Sequence, residues 1–262
     1  MIGVFDSGIG GLTVVRTLMH HLPGQEIIYL GDTARTPYGS KSPHTIVKYS
    51  LKNTDFLVRC GAHMIVIACN TASSHAYEAV RRHYQLPVFE VIGPGARLAV
   101  ERSPKQRIGV IGTHATIASG VYAKRIKAYA PDAYVYQSPS PLLVPLVEEG
   151  WFEKPVTAMI VRKYLLPLKT RRIDTLILGC THYPVLRKVI QRKIGRQVIL
   201  VDSAEAIAAQ VAAHQKVGKK ARTQRNGTRG RLRIYVTDTA DQFQKTARSI
   251  LKKRVTIELA DL

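Results

Sequence analysis

Two cysteines in this sequence stand in the same setting. Cys69 closes the apolar run of "MIVIACNTAS" (Met64–Ser73), and Cys180 closes that of "TLILGCTHYP" (Thr175–Pro184). Such a run, ending in a small residue, a thiol and short polar residues, reads as a buried strand delivering sulfur to the loop beyond it. Where the loop opens a helix, unpaired N–H groups and the helix dipole favour negative charge, so the thiol is biased toward thiolate. A protonated imidazole acts in the same direction, and His182 lies two residues beyond Cys180. Asn70, Thr71 and Thr181 add short polar groups beside each sulfur, suited to holding a carboxylate or an α-amino group.

Other chemistries fit less well. A single strand-end cysteine reads as core, because free cysteine is among the most buried residue types; two in matching settings read as a site. Cys60, in "FLVRCGA" at the last turn of a helical stretch, reads as packing. A metal could draw on Cys69, Cys180 and His182, but the closely spaced ligand pairs of structural zinc are missing, so no metal is expected. A cysteine hydrolase needs one nucleophile and one base, which leaves the second matched cysteine without a task.

Two further stretches offer polar groups at strand ends. "FDSGIGGLTV" (Phe5–Val14) places Asp6 and Ser7 before glycines that let a small ligand approach, but its spacing matches neither dinucleotide-binding nor P-loop fingerprints. A tight turn with Ser7 as helix cap is an equal reading of this stretch. "YLGDTARTPYGSKS" (Tyr29–Ser42) is a polar loop in which Tyr38 and Gly39 could give a hydroxyl and an N–H to a carboxylate, or form a surface turn.

The elements that must position these residues are legible from apolar runs. Short strands are expected at Ile2–Phe5, Glu26–Leu30, Met64–Ala68, Arg107–Ile111, Ala133–Gln137, Thr175–Leu178, Gln197–Val201 and Leu232–Val236. Amphipathic helices are expected between them, at Leu12–His21, Thr45–Cys60, Ala72–His83, Ala115–Ala130, Pro155–Leu168 and Ala204–Gln215. Alternation of this kind means βαβ units, mostly parallel sheets and ligand sites at the carboxyl ends of strands. The chain also echoes itself: "IGVFDSG" at Ile2 is matched by "IGVIGTH" at Ile108, as the Cys69 strand is matched by the Cys180 strand, at nearly the same offset. The echo suggests two similar halves, with the turn-rich "VIGPGA" (Val91–Ala96) as the crossing point.

Composition narrows the setting. At 262 residues, with 45% apolar and 22% charged residues, the chain can bury a sizeable core in one or two α/β domains. No apolar run approaches the roughly 20 residues of a membrane span, and the first residues lack a signal-peptide core, so a cytoplasmic protein is expected. Three scattered cysteines suit a reducing compartment. The formal charge of +21 is high, and Lys216–Arg233 carries eight basic residues with no acidic one. Lacking aromatic residues to stack on bases, that stretch reads as a solvated connection rather than a nucleic-acid contact.

Taken in order, "FDSGIGGLTV", "YLGDTARTPYGSKS", "IACNTAS", "PLVEEG" and "LGCTHYP" closely resemble the glutamate racemases, cofactor-independent enzymes that make D-glutamate for bacterial peptidoglycan. The related aspartate racemases carry a histidine and a glutamate where this chain has Ser73 and His182. The resemblance implies two pseudo-twofold-related α/β domains, residues 1–94 with 207–262 and residues 95–206, with glutamate held in the cleft between them. It implies a homodimer and no cofactor. It makes Cys69 the base for D-glutamate and Cys180 the base for L-glutamate, with Asp6 and His182 as their polar neighbours. Ser7, Tyr38, Gly39, Asn70, Thr71 and Thr181 would bind substrate, and Glu148, with Glu149 as the alternative, would be a further cleft carboxylate. Ser138 to Pro141 departs from the family pattern, where many members carry a cysteine and a proline.

Overall fold

The structure is a computed structural model that describes residues 1–218, 230–239 and 241–262. The chain starts with β1 (Ile2–Asp6), α1 (Leu12–His21), β2 (Ile27–Gly31), α2 (Pro43–Arg59), β3 (Ile65–Ile67), α3 (Asn70–His83) and β4 (Val88–Glu90). It continues through α4 (Ile92–Arg102), β5 (Arg107–Gly112), α5 (His114–Ala118), α6 (Val121–Tyr129), β6 (Tyr134–Pro139), α7 (Leu143–Glu148) and α8 (Pro155–Thr170). Then come β7 (Thr175–Gly179), α9 (Arg187–Ile194), β8 (Ile199–Val201), α10 (Ser203–Gly218), β9 (Leu232–Val236), α11 (Asp241–Leu251) and β10 (Ile257–Leu259).

The strands form two parallel sheets, of order β10-β9-β2-β1-β3-β4 and β6-β5-β7-β8. The run β2-β1-β3-β4 in the first repeats as β6-β5-β7-β8 in the second. The sequence echo therefore has a topological counterpart: β1 corresponds to β5, and β3 to β7. Both β1 and β7 are buried along their whole length, as strands covered by helices on both faces must be. Separate apolar clusters fill the two faces of each sheet. Ile2, Val4, Leu12 and Val15 anchor one side of the larger sheet, and Phe5, Ile28, Leu30 and Ile65 the other.

Three expectations change. Val91–Ala96 is not a turn but the approach to and first turns of α4. The Glu90 carboxylate accepts the N–H groups of Ile92 and Gly93, the latter at 2.8 Å, and so satisfies two donors that the helix start leaves open. Pro94 falls in that first turn, where it needs no hydrogen-bonded N–H. The expected helix Ala115–Ala130 is split into α5 and α6 at Gly120, whose φ of 65° is left-handed. Strands β4 and β10 and helices α4, α7, α9 and α11 add to the expected elements. Most of the basic connection Lys216–Arg233 lies outside the described residues. Among those described, no helix is long and apolar enough to cross a membrane.

Candidate active site

Both thiols stand past the carboxyl ends of equivalent strands. Cys69 follows β3 and caps α3, its Sγ accepting the Ala72 N–H at 3.5 Å. Cys180 follows β7 and leads into a short 3-10 turn, Tyr183–Leu186. They share one cavity with Ser7, Pro37, Tyr38, Gly39, Asn70, Thr71, Thr113, Val144, Thr181 and His182. It is closed down to about 10 Å³, and the two sulfurs are 5% and 6% exposed as residues. That leaves room for roughly one water.

The two thiols are differently furnished. Cys180 Sγ lies 3.7 Å from Nδ1 of the buried His182, whose Nε2 is 3.3 Å from Glu148 Oε1, an ion-pair distance without hydrogen-bond alignment. Burial opposes a charge on His182, but Cys180 and Glu148 outweigh it and hold the imidazole well above its ordinary value. Glu149 is exposed, so Glu148 is the carboxylate that faces the cavity side. Cys69 has no imidazole; its Sγ is 3.6 Å from Ser7 Oγ. The helix N-terminus acts on it in the expected direction, yet burial and the Asp6 charge win, and the Cys69 thiol is pushed up from 9.0 to about 12. The bias toward thiolate expected from the helix start is therefore outweighed at Cys69: desolvation exceeds the helix effect.

This shift has a measurable sign. The folded protein holds the Cys69 proton more tightly than the unfolded chain does, so the associated stability is intact below pH 9 and is lost as pH rises toward 12. The urea midpoint is expected to fall between pH 9 and 11, less steeply in Cys69→Ala. The half-buried Cys60 should react with a disulfide reagent at pH 8 well before Cys69 does. Faster labelling of Cys69 would refute the burial argument.

The remaining expected residues converge on the same place. Asp6 is fully buried at the end of β1, where its Oδ2 accepts the Gly8 N–H and its Oδ1 accepts the Thr181 hydroxyl, both at 3.1 Å. Burial raises its carboxyl, against the opposing His182 charge and those donors. Gly39 packs against Thr113, leaving no space for a Cβ. The Tyr38 hydroxyl differs from expectation: it donates to Asp32 and accepts from Asn53 Nδ2 at 3.0 Å, so its proton is already committed within the protein. Thr71 Oγ1 joins Thr113 and Thr116 hydroxyls at 2.9 and 3.1 Å. Asn70 Oδ1 accepts the Tyr122 hydroxyl at 2.6 Å, which leaves its buried Nδ2 as a donor without a partner.

Sequence reasoning missed Thr113, Thr116, Pro37 and Val144. The echo held the signal for one of them, because Thr113 in "IGVIGTH" stands where Ser7 stands in "IGVFDSG". The same alignment sets Gly112 against Asp6 and Thr71 against His182, so the duplicated halves contribute unlike groups to one cavity.

A model of the Asp/Glu/hydantoin racemase family matches residues 12–211. A glutamate racemase of Persephonella marina is 46% identical over 261 residues, spanning 100% of this chain and 97% of its own. The solved glutamate racemase RacE1 of Bacillus anthracis superposes with a TM-score of 0.94 at 34% identity, covering 100% of this chain and 97% of that one. The Francisella tularensis glutamate racemase, solved in complex with D-glutamate, gives 0.91 at 37% identity over 99% and 97%. Fold and likeness together define the class: this is an amino-acid racemase. The chain belongs to the Asp/Glu/hydantoin racemase family.

Proposed function

We propose that the protein interconverts L- and D-glutamate by moving a proton between its two thiols and opposite faces of one α-carbon, without a cofactor. The observation that carries this is the shared closed cavity, reached by strand-end cysteines from equivalent strands of the two sheets. In one direction the Cys69 thiolate takes the α-proton of D-glutamate while the Cys180 thiol delivers a proton to the other face. The reverse starts at Cys180 on L-glutamate. His182, held protonated, is the polar neighbour of Cys180, and Asp6 is the polar neighbour on the other side. Thr181, tied to Asp6, and Ser7, Tyr38, Gly39, Asn70 and Thr71 frame the substrate.

The difficult requirement is charge on the α-carbon and its carboxylate in the transition state. Aimed donors in a dry cavity meet it best. The Asn70 amide supplies one such donor, since Tyr122 occupies its oxygen and turns Nδ2 free. Tyr122→Phe should release that amide and lower kcat and kcat/KM for glutamate together by about tenfold, the worth of one hydrogen bond. An unchanged kcat would remove Tyr122 from the argument. D-glutamate formed this way supplies peptidoglycan synthesis, and buried free thiols suit the reducing cytoplasm.

The direct test incubates dialysed protein with D-glutamate in D₂O and follows optical activity and α-deuterium together, with aspartate in parallel. Loss of optical activity with deuterium entering L-glutamate is expected. Retained optical activity would overturn the reading, and faster turnover of aspartate would reassign the substrate.

A further inference from the structure

Two cavities larger than that of the thiols lie away from it. One of about 800 Å³ is lined by Arg16, Lys154, Arg187, Lys188 and Lys252 around a floor that includes Phe152 and Val185. A second, of about 710 Å³, shares Glu153, Arg187 and Lys188 with it and adds Arg192 and Arg196. The two cavities adjoin along these shared residues. Seven cationic side chains line them against a single carboxylate, Glu153. Arg16 and Arg187 are partly offset by the buried Asp202 beneath them. Lys154, Lys188, Arg192, Arg196 and Lys252 are exposed and make no ion pair with any described residue.

Charges of one sign gathered in a groove repel each other and raise the local concentration of counter-ions. Lys188 and Arg192 sit one turn apart on α9, and Arg196 lies just past its end, beyond Gly195; all three line the second cavity. A single phosphate would engage two or three of these groups; cationic groups spread over two adjoining cavities suit a chain of phosphates. Phe152 is the one aromatic among the lining residues of the two cavities, too few for successive bases to stack on, which favours the regular backbone of a duplex over a single strand. We propose that these adjoining cavities bind the phosphate backbone of duplex nucleic acid without regard to sequence.

This site shares no lining residue with the thiol cavity and so can be tested without disturbing the chemistry. The probe is a fluorescent duplex of arbitrary sequence, titrated by anisotropy at several salt concentrations. Each phosphate contact contributes about −0.9 to the slope of log K against log salt. The triple variant Lys188→Gln, Arg192→Gln, Arg196→Gln is expected to lower that slope by two to three and weaken binding at least tenfold. Its racemisation rate, measured alongside, should equal the parent's and reports that it folds. Absence of salt-dependent binding by the parent would overturn the proposal. So would a triple variant that binds like the parent, including the case where binding is lost only on neutralising Lys219, Lys220, Arg222, Arg225 and Arg229. Equal or tighter binding of a single strand would overturn the assignment to a duplex.

Discussion

Cys180→Ser is expected to stop racemisation from either enantiomer, with a loss of about a thousandfold or more, and Cys69→Ser to do the same. In the proposed mechanism each direction needs both sulfurs, one as base and one as acid, and positioned proton transfer contributes typically 10² to 10⁴ in rate. A serine hydroxyl fills the space but gives up its proton far less readily than a thiol. The two variants separate in a second readout. With Cys180 replaced, the thiol of Cys69 still faces one side of the carbon, so D-glutamate should exchange its α-proton with D₂O without inverting. With Cys69 replaced, the exchanging enantiomer should be L-glutamate. Parent-like racemisation by either variant, or exchange of the same enantiomer in both, would sink the two-sided mechanism.

Gly10→Ala is expected to be nearly as damaging although residue 10 carries no reactive group. A methyl there would lie 2.3 Å from Thr181 Oγ1, 2.6 Å from His182 Nδ1 and 2.8 Å from the Thr181 carbonyl carbon. The last is backbone, so the Thr181–His182 segment itself has to move. Overpacking of this kind costs about 1–3 kcal/mol. Thr181 holds Asp6 and His182 faces Cys180, so the displacement reaches both sides of the cavity. A shift of roughly 1 Å in a catalytic site can cost about a hundredfold. Measuring kcat and the urea midpoint together checks both parts; parent-like values for both would show that the contact relaxes without consequence.

The strand ends were legible because burial on both faces writes continuous apolar runs that end abruptly, as before Cys69 and Cys180. The topology was legible through the echo, which places β5 where β1 stands. Helix α4 was hidden by Gly93 and Pro94, which look like a turn until the Glu90 carboxylate is seen to cap the helix start. The Tyr38 hydroxyl could not be assigned either. Its partners Asp32 and Asn53 are set by loop and helix packing rather than by spacing along the chain. The raised Cys69 thiol is likewise beyond a local reading, since its burial comes from two sheets closing over one another.

The chain passes between its two sheets twice, from β4 to β5 through α4 and from β8 to β9 through α10, and the crossings touch where Gly95 meets Ser203. Two connections running side by side resemble a door hung at one edge, a line about which the halves can swing. A cavity with room for a water cannot admit glutamate until such a swing occurs. The clock for turnover can then be the swing rather than the proton, and solvent viscosity would slow it.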